Sequence, residues 1–390
     1  MDVNILRQDV QEFIDSNLSV DISTLALRKN PFPDIEWRLI LNQISAKSKA
    51  REKFPTWFAA SRIYYPERIS IEQSSSETTA EYKSGLVNGE SLIDLSGGFG
   101  VDDYYFSKKI SYVAHCELNP ELSTIVTSNF ETLGVDHVEC FSGESEETLK
   151  DLNRQWDWIY VDPSRRHDLK GKVFLLTDCV PNVPELLDFY FQYSDQIMIK
   201  SSPLLDLSAG LAELRYVKQI HVVAVNNEVK ELLWIISSKF SSECEITAVN
   251  ILKDNSDEFT FKASDNAQVN YELPNRYLYE PNAAILKAGA FLQVAVRFGL
   301  SKLHPHSHLY TSEHLVDFPG RRFKIEKICT YGKSEMKTLA GKKMNITTRN
   351  FPETVESLRK RWKIADGGDK YCFFTTDINE QKIALICSKI

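Results

Sequence analysis

No apolar run in this chain approaches the ~18 residues that a membrane helix needs, and the N-terminus lacks the basic-then-apolar layout of a secretory signal. Internal repeats and a low-complexity tail are absent too, which leaves out solenoids and disordered tails. The seven cysteines are odd in number and scattered, with no Cys-x-x-Cys pair. That argues against a disulfide framework or thiolate zinc site and for reduced thiols in the cytoplasm. His304, His306, His308 and His314 crowd one stretch without carboxylate or thiol company at ligand spacing, so a loop is expected there and no metal. An excess of positive charge is missing as well, the net charge being −8. What charge there is, however, is uneven. Phe318 to Lys363 carries thirteen Lys and Arg against four Asp and Glu, a local surplus of +9 that leaves −17 on the remainder. A basic surface on an acidic body is an electrostatic footprint for RNA, with a solvated face as the plainer alternative.

The 390 residues suffice for two or three domains with real cores. Residues 1–85 read as helical, with apolar residues at helical spacing over Asn4–Asn17 and Ile35–Lys53. The serines before Glu77 predict an N-cap for a short helix to about Leu86. From Ser91 onward short apolar strands alternate with helices: Ser91–Leu95, Tyr112–Cys116, His137–Phe141, Trp158–Val161 and Gln196–Lys200. Strands buried on both faces and separated by helices predict a parallel sheet. Val217–Val225 and Leu232–Ile236 end the series as a hairpin. The fold class is therefore α/β, a Rossmann-like sheet of seven strands closed by an antiparallel hairpin over residues 86–240. Beyond Phe240 strand-like segments with polar connections predict small α+β modules, here divided as 241–317 and 318–390.

Three strand ends deliver an acid. Asp94 precedes the turn Ser96-Gly97-Gly98-Phe99-Gly100, Glu117 closes the second strand and Asp162 the fourth. Acids collected along the carboxyl edge of such a sheet outline a nucleoside-cofactor site, here of the S-adenosylmethionine kind. Glycines let the backbone approach a ligand and take positive φ. Asp94 is placed for the methionine ammonium, Glu117 for the ribose hydroxyls, and Glu144, after the third strand, for the adenine amino group. Asp162 and Pro163 stand where the transferred group meets its acceptor: the carboxylate orients or deprotonates the acceptor and the proline stiffens the turn. Arg165 and Arg166 beside them can fork onto phosphate or pair with nearby acids. No cysteine closes the fourth or fifth strand, so a thiolate adduct is not expected and direct transfer to nitrogen or oxygen is favoured. In the basic segment the candidate RNA contacts are Arg321, Arg322, Lys342, Lys343, Arg349, Arg359, Lys360 and Arg361, too many for pairing with only four acids in the same stretch.

Asp94–Gly100, Glu117 and Asp162-Pro163 resemble class I S-adenosylmethionine-dependent methyltransferases, with Ser96 replacing the first glycine of the usual pattern. Tyr277-Leu-Tyr-Glu-Pro-Asn, Phe318-Pro-Gly-Arg-Arg-Phe, Arg349-Asn-Phe-Pro and Asp366-Gly-Gly-Asp resemble the bacterial members that end in a THUMP-like domain. The resemblance implies a ferredoxin-like module over 241–317, a THUMP-like RNA-binding domain over 318–390, and a cytoplasmic enzyme that methylates structured RNA (transfer or ribosomal) at a base nitrogen. A protein or small-molecule substrate, or an RNA-binding protein with a structural cofactor, are the alternatives.

Overall fold

A computed structural model describes residues 1–66, 71–72, 74–165, 175–265 and 268–390, with the side chain of Arg165 also outside the description. By internal contact the chain divides into one unit of residues 1–219 with 230–242, and a second of 220–229 with 243–390. Among the described residues no helix is long and apolar enough to cross a membrane.

The first unit is built on β1 (Ser91–Asp94), β2 (Tyr112–Glu117), β3 (Val138–Ser142), β4 (Trp158–Val161), β7 (Gln196–Ser201) and β9 (Glu228–Ser237), with a small ladder of β5 (Ser164–Arg165) and β6 (Cys179–Val180) beside them. The order is β9-β7-β4-β1-β2-β3. β1, β2, β3, β4 and β7 run parallel, and β9 lies antiparallel to β7 with Gln196 opposite Ser237. The sequence dictates this layout. Apolar β1 and β4 are buried along their whole length, as a sheet covered on both faces requires. Helices Val101–Phe106, Pro120–Leu133, Ser145–Leu152 and Val183–Tyr190 connect the strands. β8 (Val217–Val225) and β9 form the expected hairpin, turning through Asn226 and Asn227, both at positive φ, the conformation of a two-residue hairpin turn. Leu92, Phe106, Val113, Trp158, Tyr160, Met198 and Ile235 fill a core cluster against the sheet.

The N-terminal helices Gln8–Ser16 and Trp37–Lys53 belong to this unit. The expected helix over 4–17 breaks at Arg7, whose ψ of 144° is extended, into a 3₁₀ turn and an α-helix. The cap expected at the serine cluster is made by Ser76, whose hydroxyl accepts from the Thr79 amide at the start of helix Glu77–Ser84. Tyr64 and Tyr65 are clamped by two buried amides. Asn129 bonds the Tyr64 N–H and C=O, each at 2.9 Å, and Gln43 does the same for Tyr65 at 2.9 and 2.6 Å.

In the second unit β10 (Glu245–Ile251) and β11 (Ser256–Lys262) pair antiparallel in the order β11-β10-β8. They thus flank the hairpin strand and stand outside the sheet of the next module, where the sequence reading had put them, and they lengthen the expected seven-strand pattern. A separate seven-stranded sheet follows the order β13-β14-β12-β15-β18-β17-β16. Its strands are β12 (Tyr277–Pro281), β13 (Ser301–Lys302), β14 (Tyr310–Ser312), β15 (Gly320–Thr330), β16 (Asn345–Arg349), β17 (Lys370–Thr376) and β18 (Lys382–Lys389). β12 pairs with β15, so the segments before and after residue 318 share one sheet. The helix expected near 281–298 is two short ones, Ala283–Ala288 and Gln293–Phe298, interrupted at Gly289.

Replacing Asn129 with Ala leaves the Tyr64 amide and carbonyl buried without partners. Urea unfolding is expected to show a loss of about 1–3 kcal/mol, seen as a lower midpoint at constant slope; an unchanged midpoint would show that the clamp contributes nothing.

Candidate active site

Asp94 ends β1 almost wholly buried. Its Oδ1 accepts both the Ser96 N–H and the Ser96 hydroxyl at 2.7 Å. Burial, and after it the nearby Asp103, raises its proton affinity well above that of an ordinary carboxylate. The same Ser96 oxygen accepts the Asp162 N–H at 2.7 Å, so one hydroxyl joins the ends of β1 and β4. Glu117 ends β2, its Oε2 accepting from the Gly98 N–H and its Oε1 from the Asn119 N–H, both at 2.8 Å. The Gly143 N–H donates to the Glu117 carbonyl at 3.1 Å, which brings the end of β3 alongside. Glu144 follows, exposed, immediately before helix Ser145–Leu152. Asp94, Ser96, Gly97, Gly98, Glu117 and Asp162 are thus bonded or adjacent around one turn, while the Glu144 side chain makes no hydrogen bond there among the described residues. Gly100 caps helix Val101–Phe106.

Glycine is required at 97 for packing. A Cβ there would stand 2.6 Å from the Cys116 carbonyl and 2.7 Å from the His115 ring. At Gly98, with φ +63°, the reason is conformational, and the space beside it is open, the nearest atom to a Cβ being the Ser96 carbonyl at 3.7 Å. That open face, beside the half-buried Glu117 carboxylate, fits a ribose-bearing cofactor. Below the turn His115 Nδ1 meets Asp103 Oδ2 at 2.7 Å, both fully buried. Burial disfavours charge on each, lowering the imidazole and raising the carboxyl.

Asp162 is ion-paired with Lys200, the last residue but one of β7. Behind the pair lies a polar cluster that the sequence reading missed. Lys83 Nζ, fully buried, lies 2.7 and 2.9 Å from the two Glu231 oxygens, 3.0 Å from Ser75 Oγ and 3.2 Å from Asp102 Oδ1. Asp102 Oδ2 accepts from the hydroxyls of Ser75 at 2.8 Å and Tyr160 at 2.9 Å, and Lys200 Nζ reaches Ser75 Oγ at 3.5 Å. Burial works against the charge on Lys200, but Asp162, Asp102 and Glu231 outweigh it and hold the ammonium protonated. Burial likewise lifts Asp162, with Lys200 pulling the other way. Asp102 is the reverse case. Burial would raise it, yet Lys83 and Lys200 keep it below the usual carboxylate range. Lys200 was legible as a charge closing an apolar strand, as Asp94, Glu117 and Asp162 close theirs. Lys83 and Glu231, 148 positions apart, carried no such signal.

The basic segment differs from expectation. Four of its arginines find acids from outside their own stretch. Arg321 and Arg349 both grip the buried Glu280 of β12, by their Nε atoms at 2.7 and 3.0 Å. Arg322 pairs with Asp317, Arg359 with Asp366, and Arg361 with Glu353. The inference from four local acids is therefore corrected for these five, of which only Arg361 draws on a local acid. Lys342, Lys343 and Lys360 are exposed and make no ion pair among the described residues. Arg166 lies outside the described residues, as does the Arg165 side chain, while Pro163 is buried at the strand end. His304 bonds Glu380 and Asn350, each at 2.9 Å, and no group of metal-ligating side chains occurs among the described residues.

Residues 277–319 match a ferredoxin-like domain model and 320–389 a THUMP-like one. A crystal structure from Porphyromonas gingivalis W83, provisionally described as a methyltransferase, superposes with a TM-score of 0.89 at 34% identity, covering 100% of this chain and 98% of that one. Two uncharacterized S-adenosylmethionine-dependent methyltransferases of Mycobacterium tuberculosis, from strains CDC 1551 / Oshkosh and ATCC 25618 / H37Rv, are each 20% identical over 247 residues. Those matches take in 63% of this chain and 65% of each relative.

Replacing Glu231 with Ala strands the Lys83 charge in the interior. An expected loss of about 3–5 kcal/mol in unfolding free energy follows; a loss under about 1 kcal/mol would mean that Lys83 sheds its proton or finds Asp102 alone sufficient.

Proposed function

Since this chain belongs to the family of S-adenosylmethionine-dependent methyltransferases that end in ferredoxin-like and THUMP-like domains, we propose that it transfers a methyl group from S-adenosylmethionine directly to structured RNA. The observation that carries the cofactor half of this reading is the joining of three strand ends at one turn through Ser96 and Gly98. When bound, the cofactor supplies an electrophilic methyl on a positively charged sulfur. Glu117 would take the ribose hydroxyls, Asp94 the methionine end, and Glu144 the adenine. Asp162, tied by its amide to the same turn, would orient the acceptor, with Pro163 fixing the turn that shapes its pocket. Positioning does most of the work in such a displacement.

The RNA half rests on the THUMP-like match and on Lys342, Lys343 and Lys360, whose charges stay exposed. Residues 1–85, 86–240, 241–317 and 318–390 would act as a helical cover, the transfer domain, the ferredoxin-like module and the RNA-binding end. The pairing of five arginines favours the second reading, a protein or small-molecule acceptor. Labelled S-adenosylmethionine, incubated with the protein and with RNA from cells lacking it, decides between them: label in RNA supports the first reading, and label only outside RNA the second.

Two quantities follow. Glu117→Ala is expected to weaken cofactor binding by about 1–3 kcal/mol in calorimetry, because charge-assisted ribose contacts are lost; unchanged affinity in the folded variant removes Glu117 from the site. Replacing Lys342, Lys343 and Lys360 together by Gln should lower the slope of log affinity against log salt by roughly 2–3, at about 0.7–0.9 per phosphate contact. An unaltered slope would show that RNA lies elsewhere.

A further inference from the structure

Two buried ammonium groups at the transfer end have no task in transfer to nitrogen. A ring or amino nitrogen becomes more positive as its bond to carbon forms, and a fixed cation beside it opposes that change. A hydroxyl makes the opposite demand. It is a weak nucleophile until its proton leaves, and the negative charge developing on oxygen is stabilised by a fixed donor in a site shielded from water. Lys200 and Asp162 are such a donor and such a proton acceptor, in contact with each other. The Asp162 amide is tied to the turn that holds the cofactor end, at 2.7 Å from Ser96 Oγ. Its side chain keeps 35% of its surface exposed, whereas Lys200 keeps 11%, so an acceptor meets the carboxylate from solvent with the ammonium behind it.

The surroundings agree with this division of labour. Lys200 is faced by Asp162 from β4, Asp102 from helix Val101–Phe106 and Glu231 from β9. Asp162 is faced in addition by Lys83 from helix Glu77–Ser84. With Asp102, Asp162 and Glu231 ionised against Lys83 and Lys200, the cluster carries a single net negative charge. It therefore supplies a local ammonium donor to an oxygen without repelling a sulfonium nearby.

From this geometry we infer that the acceptor is a ribose 2′-hydroxyl of RNA, with Asp162 as its proton acceptor and Lys200 as the donor to its developing negative charge. The inference rests on the RNA methyltransferase reading and replaces the base nitrogen expected from sequence. In the step, the hydroxyl proton passes to the Asp162 carboxylate while an oxygen lone pair forms the new bond to the methyl carbon. The carbon–sulfur bond breaks and sulfur keeps its electron pair. Asp162 then returns the proton to water.

Product analysis of the wild-type reaction tests this. RNA from cells lacking the protein is methylated with tritiated S-adenosylmethionine, hydrolysed in alkali and separated. A methylated 2′-oxygen cannot attack the adjacent phosphodiester, so label is expected in alkali-resistant dinucleotides. Label in base-methylated mononucleotides overturns the hydroxyl acceptor and leaves the RNA reading standing, whereas no label in RNA removes both. Lys200→Met is expected to slow transfer by about 100- to 1,000-fold, with calorimetric affinity for S-adenosylmethionine within about threefold of wild type. Transfer at the wild-type rate would overturn the role of Lys200. Should that variant fail to bind cofactor, the wild-type product analysis decides alone.

Discussion

A single hydroxyl, that of Ser96, holds the candidate site in register. It donates to the Asp94 carboxylate and accepts the Asp162 amide, so the ends of two neighbouring strands cannot move apart without breaking a half-buried hydrogen bond. Bonds to a charged or proton-sharing carboxylate are among the stronger ones a protein makes. A glycine at this position would leave the Asp162 amide without this acceptor and Asp94 with the Ser96-position backbone N–H alone. The serine that departs from the usual glycine pattern is thus a structural substitution with a local reason. It adds a side-chain contact to Asp94 beside the backbone one and a tie to the end of β4.

The polar cluster behind Asp162 is costly by nature. Two ammoniums and three carboxylates drawn out of water stabilise the fold only if nearly every lone pair and proton finds a partner, and an apolar replacement of equal volume would often serve stability as well. Most are satisfied here: Lys83 meets Glu231, Ser75 and Asp102, while Asp102 takes the hydroxyls of Ser75 and Tyr160. Groups arranged from five different elements at such cost are what a site requires when charge must be fixed in place before chemistry begins. The cluster is accordingly better explained by the proposed acceptor than by stability.

Much of this was legible in the sequence because strand ends write their function locally. Apolar runs in Leu92–Ile93, Val113–Cys116 and Ile159–Val161 state that the strands are buried, and the acid after each run states which edge of the sheet is used. The serine cap and the Asn226-Asn227 hairpin were legible for the same reason, being short-range physics. What escaped was long-range. Lys83 sits among the polar residues of a short helix and reads as solvated until Glu231 is brought to it from far along the chain. Glu280 entered the sequence reading only within the motif that starts at Tyr277, yet it neutralises Arg321 and Arg349 together. Counting acids within a segment failed because strand pairing brings Glu280 to the arginines and because Asp317 and Asp366 stand just beyond the counted ends.

The N-terminal helices acquire a purpose from the same constraint. A glycine-rich turn has little side-chain bulk with which to anchor itself, and Phe99 is the exception. Its ring is buried among Phe54, Trp57 and Tyr65, at centroid distances of 5.6, 6.1 and 6.2 Å. Those three residues come from the N-terminal part of the chain, and Gln43 fixes Tyr65 by both of its backbone groups. Ile71, which lies just before the Ser75 that bonds Lys83 and Asp102, belongs to the same cluster. The helical region therefore presses on the turn from one side while Asp94, Glu117 and Asp162 hold it from the other. Loosening that aromatic contact would free the turn at Phe99 and, through Ser75, disturb the charges behind Asp162, so the helical region and the candidate site are parts of one packed unit.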